Sequence, residues 1–179
     1  LTDMMGHPPQ AAIQTMIDRH QLDDTVAQLR AESDEIFSEI LDDRLAPMPG
    51  LLELLDVLEH AAFDKAIATS SHRGHVTRVL AQFDLEPRFR FLLTSDDVTY
   101  GKPHPEIYCK ASARLGFHPS NIMVLEDSEV GCRAAVAAGC FAIAVPGVFG
   151  AKSCYDGVQL IADSLADKLI FSALGLAGK

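Results

Sequence analysis

The sequence is short of positive charge, and several such shortages narrow its function before any motif is read. Lys and Arg number 15 against 25 Asp and Glu, a formal net charge of −10, and no basic run breaks that balance. Nucleic-acid binding and membrane-surface helices need clustered basic residues, so both classes are disfavoured. No apolar run approaches the roughly 18 residues that would span a bilayer. The four cysteines, Cys109, Cys132, Cys140 and Cys154, form no CxxC and no zinc-finger spacing. They read as reduced, mostly buried thiols. With no signal-peptide pattern in the opening LTDMMGHPPQ, the expected location is cytoplasmic. No glycine-rich loop follows an apolar stretch, which removes support for a nucleotide-binding module. The HxxH of His72 and His75 has no soft ligand nearby and reads as a surface helix pair.

What is present is enough for one sizeable core with a smaller appendage: 179 residues, 48% of them hydrophobic. Residues 1 to about 46 have helical spacing. Pro8 and Pro9 suit a first turn, with Ile13, Met16 and Ile17 on one face. After Asp23-Asp24, the residues Val26, Leu29, Ile36, Phe37, Ile40 and Leu41 repeat at helical intervals. Ala46-Pro47-Met48-Pro49-Gly50 breaks the pattern and reads as a hinge. Beyond it, helices are expected at 50–61, 73–85, 105–116 and 128–139. Short apolar strands are expected at 65–69, 91–94, 122–126 and 141–145. That alternation predicts an α/β fold with a parallel sheet covered on both faces.

In such a sheet, ligands bind beyond the carboxyl ends of the strands. Thr69, Ser70 and Ser71 follow the first expected strand, where hydroxyls and free amides at a helix start can seat a phosphate or simply cap the helix. Lys102 lies in a turn between Gly101 and Pro103, where it can neutralise a phosphate or a carboxylate; a solvent-exposed loop charge is the plainer alternative. The stretch IMVLEDSEVG (122–131) drives a buried strand into two adjacent carboxylates, Glu126 and Asp127. A divalent cation would relieve both their repulsion and their desolvation. Magnesium, which takes one or two carboxylates with waters and phosphate oxygens, suits the hydroxyl seat opposite. The alternative makes Asp127 or Ser128 a helix N-cap and leaves Glu126 exposed.

The segments KAIATSS (65–71), GKPHPEIY (101–108) and VLEDSEVGCRAAVAAG (124–139) resemble, in order, the second, third and fourth motifs of the haloacid dehalogenase-like superfamily. The resemblance is to its β-phosphoglucomutase and phosphoglycolate-phosphatase branch, and PMPG (47–50) is similar to the turn between that branch's cap and core. It implies a Rossmann-like core over 47–179 and a small, mobile helical cap over 1–46. It also implies that Thr69 bonds the transferring phosphoryl group while Ser70 and Ser71 line the pocket. Lys102 would neutralise nucleophile and phosphate, and Glu126 and Asp127 would hold Mg²⁺. The expected substrate is a small phosphorylated metabolite, contacted in the cap by residues such as His7, Gln10 or Arg19. The expected assembly is a monomer or weak homodimer.

One family element is missing. The first motif, a strand ending D-x-D-x-[TV] whose first Asp is the nucleophile and second the general acid/base, has no counterpart, because the sequence contains no Asp-x-Asp. Asp23-Asp24, Asp42-Asp43 and Asp96-Asp97 are adjacent pairs in the wrong places. In the family that strand lies between those of the second and fourth motifs, so its absence should leave two unpaired edges and a tendency to misfold. The expectation is that the numbering, which opens on Leu1, begins partway into a longer protein, and that these residues alone are catalytically inactive. The first lysine is Lys65, so no cap lysine is available for the Schiff base of the superfamily's phosphonate hydrolase. Adjacent acidic ligands at 126–127 disfavour a metal-free haloacid dehalogenase. Phosphatase is the leading expectation, phosphomutase the second, and a phosphate- or Mg²⁺-binding protein without turnover the reading from another class.

Overall fold

The computed structural model describes residues 9–147 and 154–176. Helix α1 (Pro9–His20) begins at the second of the paired prolines, where a missing N–H costs nothing. It packs against α2 (Val26–Arg44), and Ile17 is buried. The Pro- and Gly-containing stretch 45–50 then carries no helix, and Gly50 adopts φ +84°. A Cβ there would meet the Ala166 backbone nitrogen at 2.4 Å, so glycine is required both by conformation and by close approach.

The α/β region follows in the expected order. Its elements are α3 (Leu51–His60), β1 (Ile67–Ala68), α4 (Arg73–Gln82), β2 (Leu92–Leu93), α5 (Glu106–Leu115), β3 (Met123–Glu126), α6 (Glu129–Ala137) and β4 (Phe141–Ala144). Two further elements, β5 (Leu160–Ile161) and α7 (Lys168–Ala173), went unread in the sequence. Every strand pairing is parallel. Both faces are covered, as neighbouring residues show. Leu92 packs with Leu55 of α3 and with Val76 and Leu80 of α4. Leu93 packs instead with Ile107 and Ala111 of α5 and Ala134 of α6. One step along the pleat reverses the face.

The sheet is broken in two. β1 pairs with β2, and β3 with β4 and then β5, so β1 and β3 each have an edge without a strand partner among the described residues. The Ile67 and Thr69 amides donate to the Phe91 and Leu93 carbonyls, so alternation turns Ala66 and Ala68 away from β2. The Ile122 and Glu126 carbonyls accept from the Phe141 and Val145 amides, which likewise turns Met123 and Leu125 away from β4. Residues 91–94 are buried throughout, whereas 65–69 are only half-buried. The break therefore lies between the second-motif and fourth-motif strands. Side chains hold the halves together: Leu54 and Leu55 of α3 enter the core of one half-sheet each. On the other face a single cluster joins Leu93 to Val124 and Ala142.

Cys132 and Cys140 are buried, but Cys109 and Cys154 are exposed, so burial of the thiols is half of what was expected. Burial pushes the Cys132 and Cys140 thiols up to about 11, Cys132 with help from the nearby Glu126 and Asp127 charges. Among the described residues no helix is long and apolar enough to cross a membrane.

Candidate active site

A cavity of about 300 Å³ opens at the carboxyl ends of β1 and β3, lined by Ala68, Thr69, Ser70, Lys102, Leu125, Glu126, Asp127 and Ser128. Five of the six residues singled out in the sequence thus meet across the break in the sheet. The sixth, Ser71, stands behind the loop. Its amide donates to Thr69 Oγ1 at 3.1 Å, and its carbonyl accepts from the Ser95 amide at 3.0 Å. With that bond occupying Oγ1 as an acceptor, the Thr69 hydroxyl retains its proton for donation.

His72 closes the loop as the N-cap of α4, its Nδ1 accepting from the His75 amide at 3.3 Å. The HxxH is therefore a capping arrangement on half-buried residues rather than a pair on an exposed helix face.

Lys102 is not a solvent-exposed loop charge. The residue is 9% exposed, and its side chain crosses the gap between the half-sheets. Nζ donates to the Ala68 carbonyl of β1 at 3.0 Å and pairs with Glu126 Oε1 at the end of β3. It also lies 5.1 Å from the centre of the Tyr108 ring. One ammonium therefore satisfies a carbonyl that points away from β2 and neutralises a carboxylate on the far side.

Glu126 is 8% exposed, and both of its oxygens accept hydrogen bonds. Oε1 accepts from Lys102 and from the Tyr108 hydroxyl, and Oε2 accepts from Ser128 Oγ at 3.0 Å. Burial, followed by the adjacent Glu126 charge, pushes the Tyr108 phenol far above its ordinary range, so it remains a donor. Ser128 is indeed the N-cap of α6, accepting from the Gly131 amide at 3.1 Å. The capping alternative is thus right about Ser128, while Glu126 is buried rather than exposed.

Asp127 is exposed to the cavity, and its carboxylate accepts no hydrogen bond from the described residues. Its backbone carbonyl is held by the Tyr155 hydroxyl at 3.0 Å. Among the described residues no cluster of three or more His, Cys, Asp and Glu forms. A hard cation held mainly by water and phosphate oxygens needs only one or two carboxylates. Asp127, without a side-chain hydrogen bond among the described residues and lining the same polar cavity as Glu126, fits that role.

Reading by residue type missed two participants. Tyr108 sits at an apolar position of α5 and reads as core. Gly131 reads as one small residue among several in α6. A Cβ on Gly131 would lie 2.0 Å from Glu126 Oε2, so the carboxylate occupies space that any side chain would fill. The residues expected to contact substrate from a cap give less: His7 and the Gln10 side chain lie outside the described residues, and Arg19 is in the last turn of α1.

A parallel α/β sheet with hydroxyls, a lysine and two carboxylates around a cavity at the carboxyl ends of its strands defines a Rossmann-like protein. The chain belongs to the haloacid dehalogenase-like hydrolase family, which it matches over residues 1–145. It is 31% identical over 140 residues to a phosphorylated carbohydrates phosphatase of Thermotoga maritima, covering 76% of this chain and 63% of the relative. It is 29% identical over 165 residues to a bifunctional riboflavin kinase/FMN phosphatase of Arabidopsis thaliana, covering 92% of this chain and 43% of that one. It thus spans about half the length of these curated relatives. The crystal structure of a CbbY mutant from Rhodobacter sphaeroides in complex with xylulose-(1,5)bisphosphate superposes with a TM-score of 0.81 at 27% identity, over 91% of this chain and 76% of that one.

Proposed function

We propose that this chain carries most of the active site of a phosphatase acting on a small phosphomonoester, a sugar phosphate being the leading class. The observation that carries the reading is the meeting of Thr69, Ser70, Lys102, Glu126 and Asp127 around one cavity at the break in the sheet. Relatives with phosphatase names support it.

In this reading the gap between β1 and β3 receives an extended strand bearing D-x-D. A carboxylate oxygen of its first Asp attacks phosphorus, the P–O ester bond breaks, and the leaving alkoxide takes a proton from the second Asp. Water, deprotonated by that second Asp, then cleaves the aspartyl phosphate and releases inorganic phosphate. Thr69 donates its hydroxyl proton to a phosphoryl oxygen. Lys102, held between β1 and β3, balances the charge of the nucleophile and phosphate. Asp127 and Glu126 would hold Mg²⁺, which when bound supplies positive charge to the phosphate oxygens. Helices α1 and α2 would form the cap that restricts water and selects the substrate. Phosphomutase activity differs only in the acceptor and is distinguished by product.

The test assays a panel of small phosphomonoesters, with and without Mg²⁺, using the chain with a strand bearing D-x-D fused ahead of Leu1. Mg²⁺-dependent phosphate release that is lost in Lys102→Met and Asp127→Asn supports the reading. Equal turnover in those variants refutes it.

A further inference from the structure

Asp96 and Asp97 take no part in the chemistry above, yet they join the two segments that flank the cavity. On one side is the hydroxyl loop. The Arg73 amide donates to Asp96 Oδ2 at 2.9 Å, and Arg73 Nη2 reaches Asp97 Oδ1 and Oδ2 at 2.9 and 2.7 Å. The Ser95 amide holds the Ser71 carbonyl. On the other side is the turn that carries Lys102. Lys110 Nζ donates to the Asp97 carbonyl at 2.7 Å and to Glu106 Oε1 at 2.6 Å. Glu106 in turn accepts the Thr99 amide at 3.0 and 3.1 Å and the Tyr100 amide at 2.8 Å, just before Gly101-Lys102.

At the centre, Asp97 Oδ2 accepts from the Thr94 amide at 2.7 Å and from its hydroxyl at 2.8 Å, and Thr94 is fully buried. Capping accounts for the Thr94 bonds. It does not account for Arg73, which lies 24 residues away in sequence, nor for the link through Lys110.

We infer that Asp97 is a positioning residue that sets the separation of the hydroxyl loop from Lys102, and with it the fit of the cavity to a phosphoryl group. This rests on the phosphate-site reading above. Asp97 touches no substrate; it acts through Arg73 on the loop that begins at Thr69. Burial alone would raise its carboxyl, but the bonds from Thr94 and Arg73 outweigh burial and hold it below its ordinary range, so it stays charged.

The test measures the affinity of the full chain for inorganic phosphate in Mg²⁺ by ³¹P NMR titration, with thermal midpoints recorded alongside. The proteins are wild type, Asp97→Asn, Arg73→Gln and the double variant. Arg73 is half exposed, so Arg73→Gln is expected to fold even if Asp97→Asn does not. Each single change should weaken binding about tenfold, as loss of a supporting contact does at other sites. The double variant should be no more than about twofold weaker than either single, because both changes break one link. Arg73→Lys, which keeps the charge, should recover part of the loss. Unchanged phosphate affinity in Arg73→Gln, or fully additive losses, would overturn the inference. Wild-type protein that binds no phosphate would overturn the phosphate-site reading itself, and the brace with it.

Discussion

Glu126 and Gly131 occupy one another's space: a Cβ built on Gly131 stands 2.0 Å from Glu126 Oε2 and 2.1 Å from its Cδ. The glutamate is folded back against the first turn of α6, where Ser128 and Tyr108 complete its hydrogen bonds. Gly131→Ala should therefore push the carboxylate off Lys102 and Tyr108. A clash of this kind in a packed site costs about 1–3 kcal/mol. Urea denaturation checks the size, and a wild-type midpoint would show that the carboxylate relocates at no cost.

Tyr108→Phe isolates the hydroxyl. The ring and its packing stay, while Glu126 Oε1 keeps only Lys102. A hydrogen bond to a buried charged group contributes about 1.5–3 kcal/mol, and that loss is expected by denaturation. On the proposed function the contact also fixes the aim of a Mg²⁺-holding carboxylate, so Mg²⁺ affinity, followed by calorimetric titration in the presence of phosphate, should fall as well.

Acid stability follows from two surface carboxylates. Arg88 first, then Lys65, holds Glu59 at about 2 rather than 4.5, burial opposing. Lys110, followed by the Thr99 and Tyr100 amides, holds Glu106 at about 2. Both folded values are depressed, so their contribution is complete above the unfolded value of 4.5 and is lost as pH falls toward 2. The thermal midpoint should be flat from neutrality to about pH 5 and decline below that. High salt should shrink the decline, since these pairs are exposed and screened.

Much of this arrangement was legible because strand ends and motif residues coincide. Thr69, Glu126 and Asp127 end or follow an apolar run, Lys102 lies in the turn beyond another, and a parallel sheet brings such ends to one edge. The family resemblance, with no Asp-x-Asp in the sequence, implied the break that lies between β1 and β3. What could not be read was how the remaining polar groups are satisfied. Lys102 as a tie across the gap depends on the third dimension, as does Tyr108 turning its hydroxyl inward from an apolar helix face. β5 and α7 escaped because Leu160-Ile161 is too short for a period-2 signal and α7 has only 6 residues. The bonds of the Asp96-Asp97 pair to Arg73 and Lys110 join segments that sequence spacing does not connect.

The central proposal is that the gap between β1 and β3 accepts a strand bearing the nucleophile. Amide hydrogen exchange at Ala66, Ala68, Met123 and Leu125 tests it most directly, because these residues turn away from β2 and β4. The comparison is between the 179-residue chain and the same chain with a strand bearing D-x-D fused ahead of Leu1. The account predicts rapid exchange at all four amides in the shorter chain and protection in the longer one, with Ile67 and Thr69 protected in both. Equal exchange of the four in both chains would contradict it.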